Sequence, residues 1–288
     1  MAEVKPAAGA ASRNTGTSVQ PKKRSNAIAV IAPIICLVIG FITWRFILGD
    51  PSHFSKPDLN GGFWPDHDDA KSGLYRMYQG GIIVPVLIAL FLMVITFSIE
   101  RLMTILKAQG SGNIGEFVRQ VQFSLANKDV DKALALCDKQ KGSVGNVMKA
   151  GLRKYKEMIG NTELDADQKV LNIQKEIEEA TALELPMLEK NLVFLSTIAS
   201  VATLFGLLGT VLGMIKSFAA LAAAGGGGAA AELSKGISEA LYNTALGIGT
   251  SALAIVMYNI FTTRIDGITY GIDESGFTLT QSFAANYK

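Results

Sequence analysis

Charge is scarce in this sequence. Asp, Glu, Lys and Arg together make up 18% of its 288 residues, against about 25% in an average soluble domain. With 49% hydrophobic residues beside that shortage, the chain does not fit a protein bathed in water on every side. Cysteine is scarcer still. The two present, Cys36 and Cys137, lie far apart, one in an apolar stretch and one in a polar one, which excludes a disulfide framework. Neither has a second Cys or a His at ligand spacing, so both are read as reduced thiols, with Cys36 a small packing residue. Also missing are G-x-x-x-x-G-K-[ST], H-E-x-x-H, a Cys/His nucleophile pairing and any nucleic-acid signature. No enzyme site, resident metal, cofactor or nucleic-acid partner is therefore expected. Asp66-His67-Asp68-Asp69 could in principle hold a metal, but is read as a solvated acidic loop.

What the chain has instead is long apolar runs. Four nearly charge-free stretches, about 27–44, 81–99, 191–215 and 240–263, approach or exceed the roughly 18–20 helical residues that cross ~30 Å of hydrocarbon. The first has a basic flank, Lys22-Lys23-Arg24, as a secretion signal would. Its apolar run is longer than a usual signal core, and it exits through Thr43-Trp44-Arg45-Phe46 with no small-residue cleavage site, so it reads as an uncleaved anchor.

The expected fold class is all-α: a polytopic helical membrane protein with four spans, two of them long and extending toward a cytoplasmic helical domain. Segment 1–26, with five basic residues and one acidic, is expected as a disordered cytoplasmic tail. An N-terminal span at 27–48 leads to an acidic outer loop at 49–80, and a second span at 81–106 returns, with Pro85 in its first turn where proline is tolerated. Residues 107–190, with 13 basic and 13 acidic side chains, read as a cytoplasmic helical domain. There Asp129 and Ser143 are candidate caps, 167–185 is a charged helix, and Pro186 opens the next span. Spans at 191–224 and 232–263 flank a Gly-rich outer turn at 225–231. Segment 264–288 is a polar tail with only weak periodicity, and both termini are cytoplasmic.

The candidate functional residues lie on the last two spans. Ser196, Thr203, Thr210 and Ser217 recur every seven residues, as do Thr244, Ser251 and Tyr258. Seven residues are nearly two helical turns, so each set shares a face that drifts about 20° per step. Folded symmetrically at Gly227, the helices would match Thr210 with Thr244, Thr203 with Ser251 and Ser196 with Tyr258 in depth. Such hydroxyls can relay protons or hold water; they are equally common as glue between helices. Gly206, Gly209, Gly213 and Gly247 argue for close helix approach. Glu239 is the acid inside the last span, a functional candidate by its cost there, with an ion pair to Lys216 at similar depth as the alternative.

The block IASVATLFGLLGTVLGM, from Ile198 to Met214, resembles the core signature of the MotA/TolQ/ExbB proton-channel family. ISEALYNTALG, from Ile237 to Gly247, and Tyr258-Asn259 are similar to its second half, closest to the ExbB/TolQ branch. The resemblance implies a bacterial inner-membrane channel subunit that forms a homo-pentamer in the lipid bilayer around a smaller ExbD-like partner. That partner has a single span bearing an aspartate. Proton flow would then drive a TonB-like protein and energise transport across the outer membrane. The alternatives are a TolQ-like role in outer-membrane integrity and a purely structural scaffold. By the same resemblance Thr210 and Thr244 are pore-lining threonines and Glu239 the membrane glutamate. The chain departs from the family pattern at Thr203, where proline is common, and in the additional span and loop of 27–80.

Overall fold

In the computed structural model, residues 27–58, 67–223 and 229–287 are described. The basic tail 1–26 and the glycine run 225–228 lie outside them. Helix α1 (Ala27–Ile42) continues into a π-helical turn, Thr43–Leu48. A two-stranded antiparallel ribbon follows, β1 (Phe54–Lys56) with β2 (Asp68–Ala70), then α2 (Gly73–Gln79). Next come α3 (Ile83–Gln109), α4 (Ile114–Ala126), α5 (Val130–Gln140), α6 (Gly142–Gly160) and α7 (Ala166–Glu189). Two long helices close the chain, α8 (Leu192–Ala223) and α9 (Ala229–Tyr287). The fold is all-α apart from the ribbon, and among the described residues four helices are long and apolar enough to cross a membrane. The exposed faces of α1 and α8, from Val30 to Ile39 and from Leu204 to Phe218, are strongly apolar, as lipid contact requires.

The longest element was the least visible. Segment 264–288, expected as a tail, is helix as far as Tyr287, and α9 runs for 59 residues, about 88 Å at the usual rise. Phe261, Ile265, Ile268, Ile272, Ser275, Leu279 and Phe283 are buried along one stripe at three- and four-residue spacing. That stripe packs into the α4–α7 domain. Phe283 meets Tyr155 edge-on at 4.9 Å, and Gln122 donates to the Thr278 hydroxyl at 3.0 Å. A helix too polar to be recognised alone is held by a core it shares with others.

Two helix boundaries also differ from expectation. Ser143 does not cap α6: the helix begins at Gly142, and Ser143 is buried in its first turn. Pro186 does not open the next span; it sits in the last turn of α7, which ends at Lys190 and Asn191, the latter at φ +67°. Buried Arg101 of α3 explains that stopping point. Its guanidinium donates to the Leu188 carbonyl (3.2 Å), one of the last-turn carbonyls that lack a helical partner, and also holds Glu100. Asn191 in turn donates to Glu100 (3.3 Å). Asp129 caps α5 as expected, its carboxylate accepting from the Lys132 N–H at 2.9 Å.

The N-terminal unit is docked rather than loose. Gly40 of α1 lies so close to α3 that a Cβ there would stand 2.7 Å from the Pro85 carbonyl oxygen. Trp44 stacks on Tyr78 at 4.7 Å and donates its indole N–H to the Tyr78 carbonyl. His67, expected in a solvated loop, is only 1% exposed. Its Nδ1 accepts from the Asp58 N–H (2.9 Å), which places the proton on Nε2 for donation to the Gly49 carbonyl (3.2 Å). Both ring nitrogens are thus taken by backbone groups, and the histidine serves as core for the ribbon. Asp66 of the same cluster lies outside the described residues.

Candidate functional site

Helices α8 and α9 pack antiparallel with almost no side chain between them. A Cβ on Gly247 would come within 2.6 Å of the Ala202 carbonyl oxygen and 2.8 Å of the Gly206 Cα. One on Gly213 would meet the Ala240 Cβ at 2.7 Å, and one on Gly209 the Asn243 Cβ at 2.6 Å. Small residues, Gly206, Gly209, Gly213 and Gly247 among them, therefore set the spacing. The register is displaced by one residue from that of a symmetric turn: Gly206 faces Gly247, Gly213 faces Ala240 and Ser217 faces Gly236.

That displacement decides which hydroxyls meet the neighbouring helix. Thr244 donates to the Gly206 carbonyl of α8 at 3.0 Å. Thr210 does not face Thr244; its hydroxyl donates to the Leu207 carbonyl of its own helix at 2.6 Å, and Gly209 takes the inward position. Thr203 and Ser217 likewise donate to carbonyls four residues back, at 3.3 and 2.7 Å. Each of these oxygens still has lone pairs free to accept from water.

Toward the α7 end the expected rungs converge. Ser196, Thr203, Ser251 and Tyr258 line one open cleft of about 520 Å³, with Ser200, Leu204 and Ile255 between them. The pairs matched in depth, Thr203 with Ser251 and Ser196 with Tyr258, thus share a site. At the other end Glu239 is buried at 8% exposure, whereas Lys216 is exposed; among the described residues no ion pair joins them.

Two buried polar residues were missed. Asn243 is 3% exposed and Thr250 is 1% exposed. With Glu239 and Ser251 they form the buried polar stripe of α9. The stripe was legible in principle, since Asn243 lies four residues from Glu239, a spacing that shares a helix face.

Glycine-tight long helices, an intramembrane acid and a hydroxyl-lined cleft define an all-helical, multi-pass membrane protein with a polar face between its spans. Residues 139–274 match the family model of the MotA/TolQ/ExbB proton channel family. The matched segment holds α6 to α8 and most of α9, with all the residues of the α8–α9 site. The Tol-Pal system protein TolQ of Pseudomonas aeruginosa is 31% identical over 121 residues, which cover 42% of this chain and 52% of that protein. A putative biopolymer transport protein, ExbB-like 3, of Synechocystis is 37% identical over 86 residues (30% and 41%). The biopolymer transport protein ExbB of Pseudomonas putida is 42% identical over 73 residues (25% and 22%). The chain thus spans about half or less of the length of these relatives.

Proposed function

We propose that this protein is the proton-channel subunit of an ExbB–ExbD type motor in the bacterial inner membrane, with both termini in the cytoplasm. Copies of the chain, five in our reading, surround a small-residue pore made by α8 and α9. The observation that carries the proposal is a buried carboxyl, Glu239, on the same helix pair as the hydroxyl-lined cleft, inside the segment matching a proton channel family. Hydroxyls at Thr203, Thr210, Thr244 and Ser251 can pass a proton but cannot hold its charge near neutral pH. Storage falls to carboxylates: an aspartate on a single-span ExbD-like partner in the pore, with Glu239 controlling access. One charge crossing the membrane yields about 2.3 kcal/mol per 100 mV, so a few protons can drive a TonB-like protein to energise transport across the outer membrane.

The test is uptake through a TonB-dependent receptor in cells carrying Thr210→Ala or Thr244→Ala. Both variants should assemble normally and fail to energise uptake; wild-type uptake in both overturns the relay. A second reading, a TolQ-like subunit that maintains the outer membrane, is favoured by the length of the TolQ match. Detergent sensitivity of the deletion strain with intact uptake would select it. A scaffold without conduction would tolerate the threonine changes and fail with bulky residues at Gly209 or Gly213.

A further inference from the structure

One buried polar group at the Glu239 end of α9 has no use in the relay as described. Asn243 is 3% exposed, lies one helical turn from Glu239, and is enclosed by three elements. Its Nδ2 donates to the Gly80 carbonyl, in the turn between α2 and α3, at 3.1 Å. Gly209 of α8 backs onto its Cβ, and Gly80 backs directly onto its Oδ1. That Oδ1 is buried and, among the described residues, accepts from no protein donor. A reversed amide would set Oδ1 against the Gly80 carbonyl oxygen, two acceptors in contact, so the orientation is determined by the neighbours. A buried amide oxygen without a donor is rare in folded proteins and costly.

We propose that Asn243 Oδ1 is a binding site for an ordered water molecule at the Glu239 end of the α8–α9 pair. Asn243 is then a water-positioning residue for the proton path. Water fits the chemistry: it supplies the missing donor to Oδ1 and keeps a second hydrogen and its lone pairs for neighbours along the path. An amide does not titrate, so it can hold this water without trapping a proton. The two glycines leave the amide within reach of both the N-terminal unit and the helix pair. The role in conduction rests on the proton-channel reading; the water site does not.

The test uses the complex as purified with the full chain, in lipid vesicles, with isotopically labelled asparagine. Water-edited solid-state NMR should show magnetisation transfer from water to the Asn243 side-chain carbonyl, assigned by its loss in Asn243→Leu. Absence of transfer overturns the site. In the same vesicles, proton flux under an applied potential should fall about tenfold in Asn243→Leu with oligomer size unchanged, the factor corresponding to one lost interaction of ordinary strength. Asn243→Ser keeps a non-titrating oxygen acceptor while losing the amide donor to Gly80, and should retain most of the flux. If Ser behaves as Leu does, the residue only ties α9 to Gly80 and the positioning role is wrong; wild-type flux in Asn243→Leu also overturns it. A wild-type complex that conducts no protons would refute the channel reading, while the NMR signal would still decide the water site.

Discussion

The α8–α9 pair and the α4–α7 domain are held together by opposite means. In the domain, large side chains fill the core: Tyr155, Phe283, Met148, Leu152, Leu125 and Ile173 are essentially inaccessible. In the pair, the contact is made by what is missing, glycine and alanine backbones laid against each other at Gly206, Gly213, Ala240 and Gly247. The contrast follows from the solvent. In water, burying apolar area is the driving force, and bulk supplies it. Between lipid-facing helices there is no such gain, since lipid tails are as apolar as leucine, and close backbone packing takes over. One helix, α9, obeys both rules, with small and polar residues along its first half and Phe261, Ile265, Ile268 and Ile272 beyond.

Substitutions should respect that boundary. The largest effect is expected at Phe283→Ala, which removes a fully buried ring packed on Tyr155 and should destabilise the α4–α7 domain by about 3–5 kcal/mol. Limited proteolysis should then cut within that domain and the end of α9, while α8 and the first half of α9 stay protected in the membrane. Simultaneous loss of both regions would show that they fold as one unit. Next comes Gly247→Ala, a single methyl driven against the Ala202 carbonyl oxygen, with an expected cost of about 1–3 kcal/mol to helix pairing. The same change at Gly249, two residues on, meets nothing within 4 Å and should be neutral or stabilising by up to about 1 kcal/mol. Thermal stability of the two variants in detergent reads the difference directly; equal effects would refute packing by backbone contact.

The smallest effect at neutral pH concerns Cys137. Burial, with a lesser contribution from the neighbouring Asp138 carboxylate, pushes its thiol up to about 12. An ordinary thiol in the unfolded chain ionises near 9.0. The native state therefore keeps a proton that the unfolded state gives up. The contribution to domain stability is full below about pH 9 and declines as pH rises toward 12. Alkylation of Cys137 at pH 8 should accordingly be slow until urea opens the domain; rapid labelling of the native protein would contradict its burial.

Much of this architecture could be read without coordinates, because membrane spans announce themselves by length and hydropathy alone. The glycines of the α8–α9 contact and the acid at Glu239 were legible for the same reason: each residue type is unusual in its setting. His67 was misread because an acidic neighbourhood in the sequence says nothing of a core assembled from Trp44, Phe54 and Tyr78, which come from distant segments. The end of α9 was missed because Gly267, Gly271 and Gly276 dilute its apolar stripe; two of them turn out to admit Ile114 and Ile177 from other helices.

Composition and periodicity were enough to establish four apolar spans, a hydroxyl beat and glycine-rich faces, since each is a property of a single helix. Which hydroxyl crosses to the other helix was not. Successive residues on a helix are separated by about 100°, so a displacement of one position puts Gly209 where Thr210 was expected and brings Asn243 against it. Thr244 reaches the Gly206 carbonyl, and Asn243 is sealed under Gly80. Those outcomes depend on how closely two backbones approach and where a turn from a third element lands, and such distances exist only once the helices are packed.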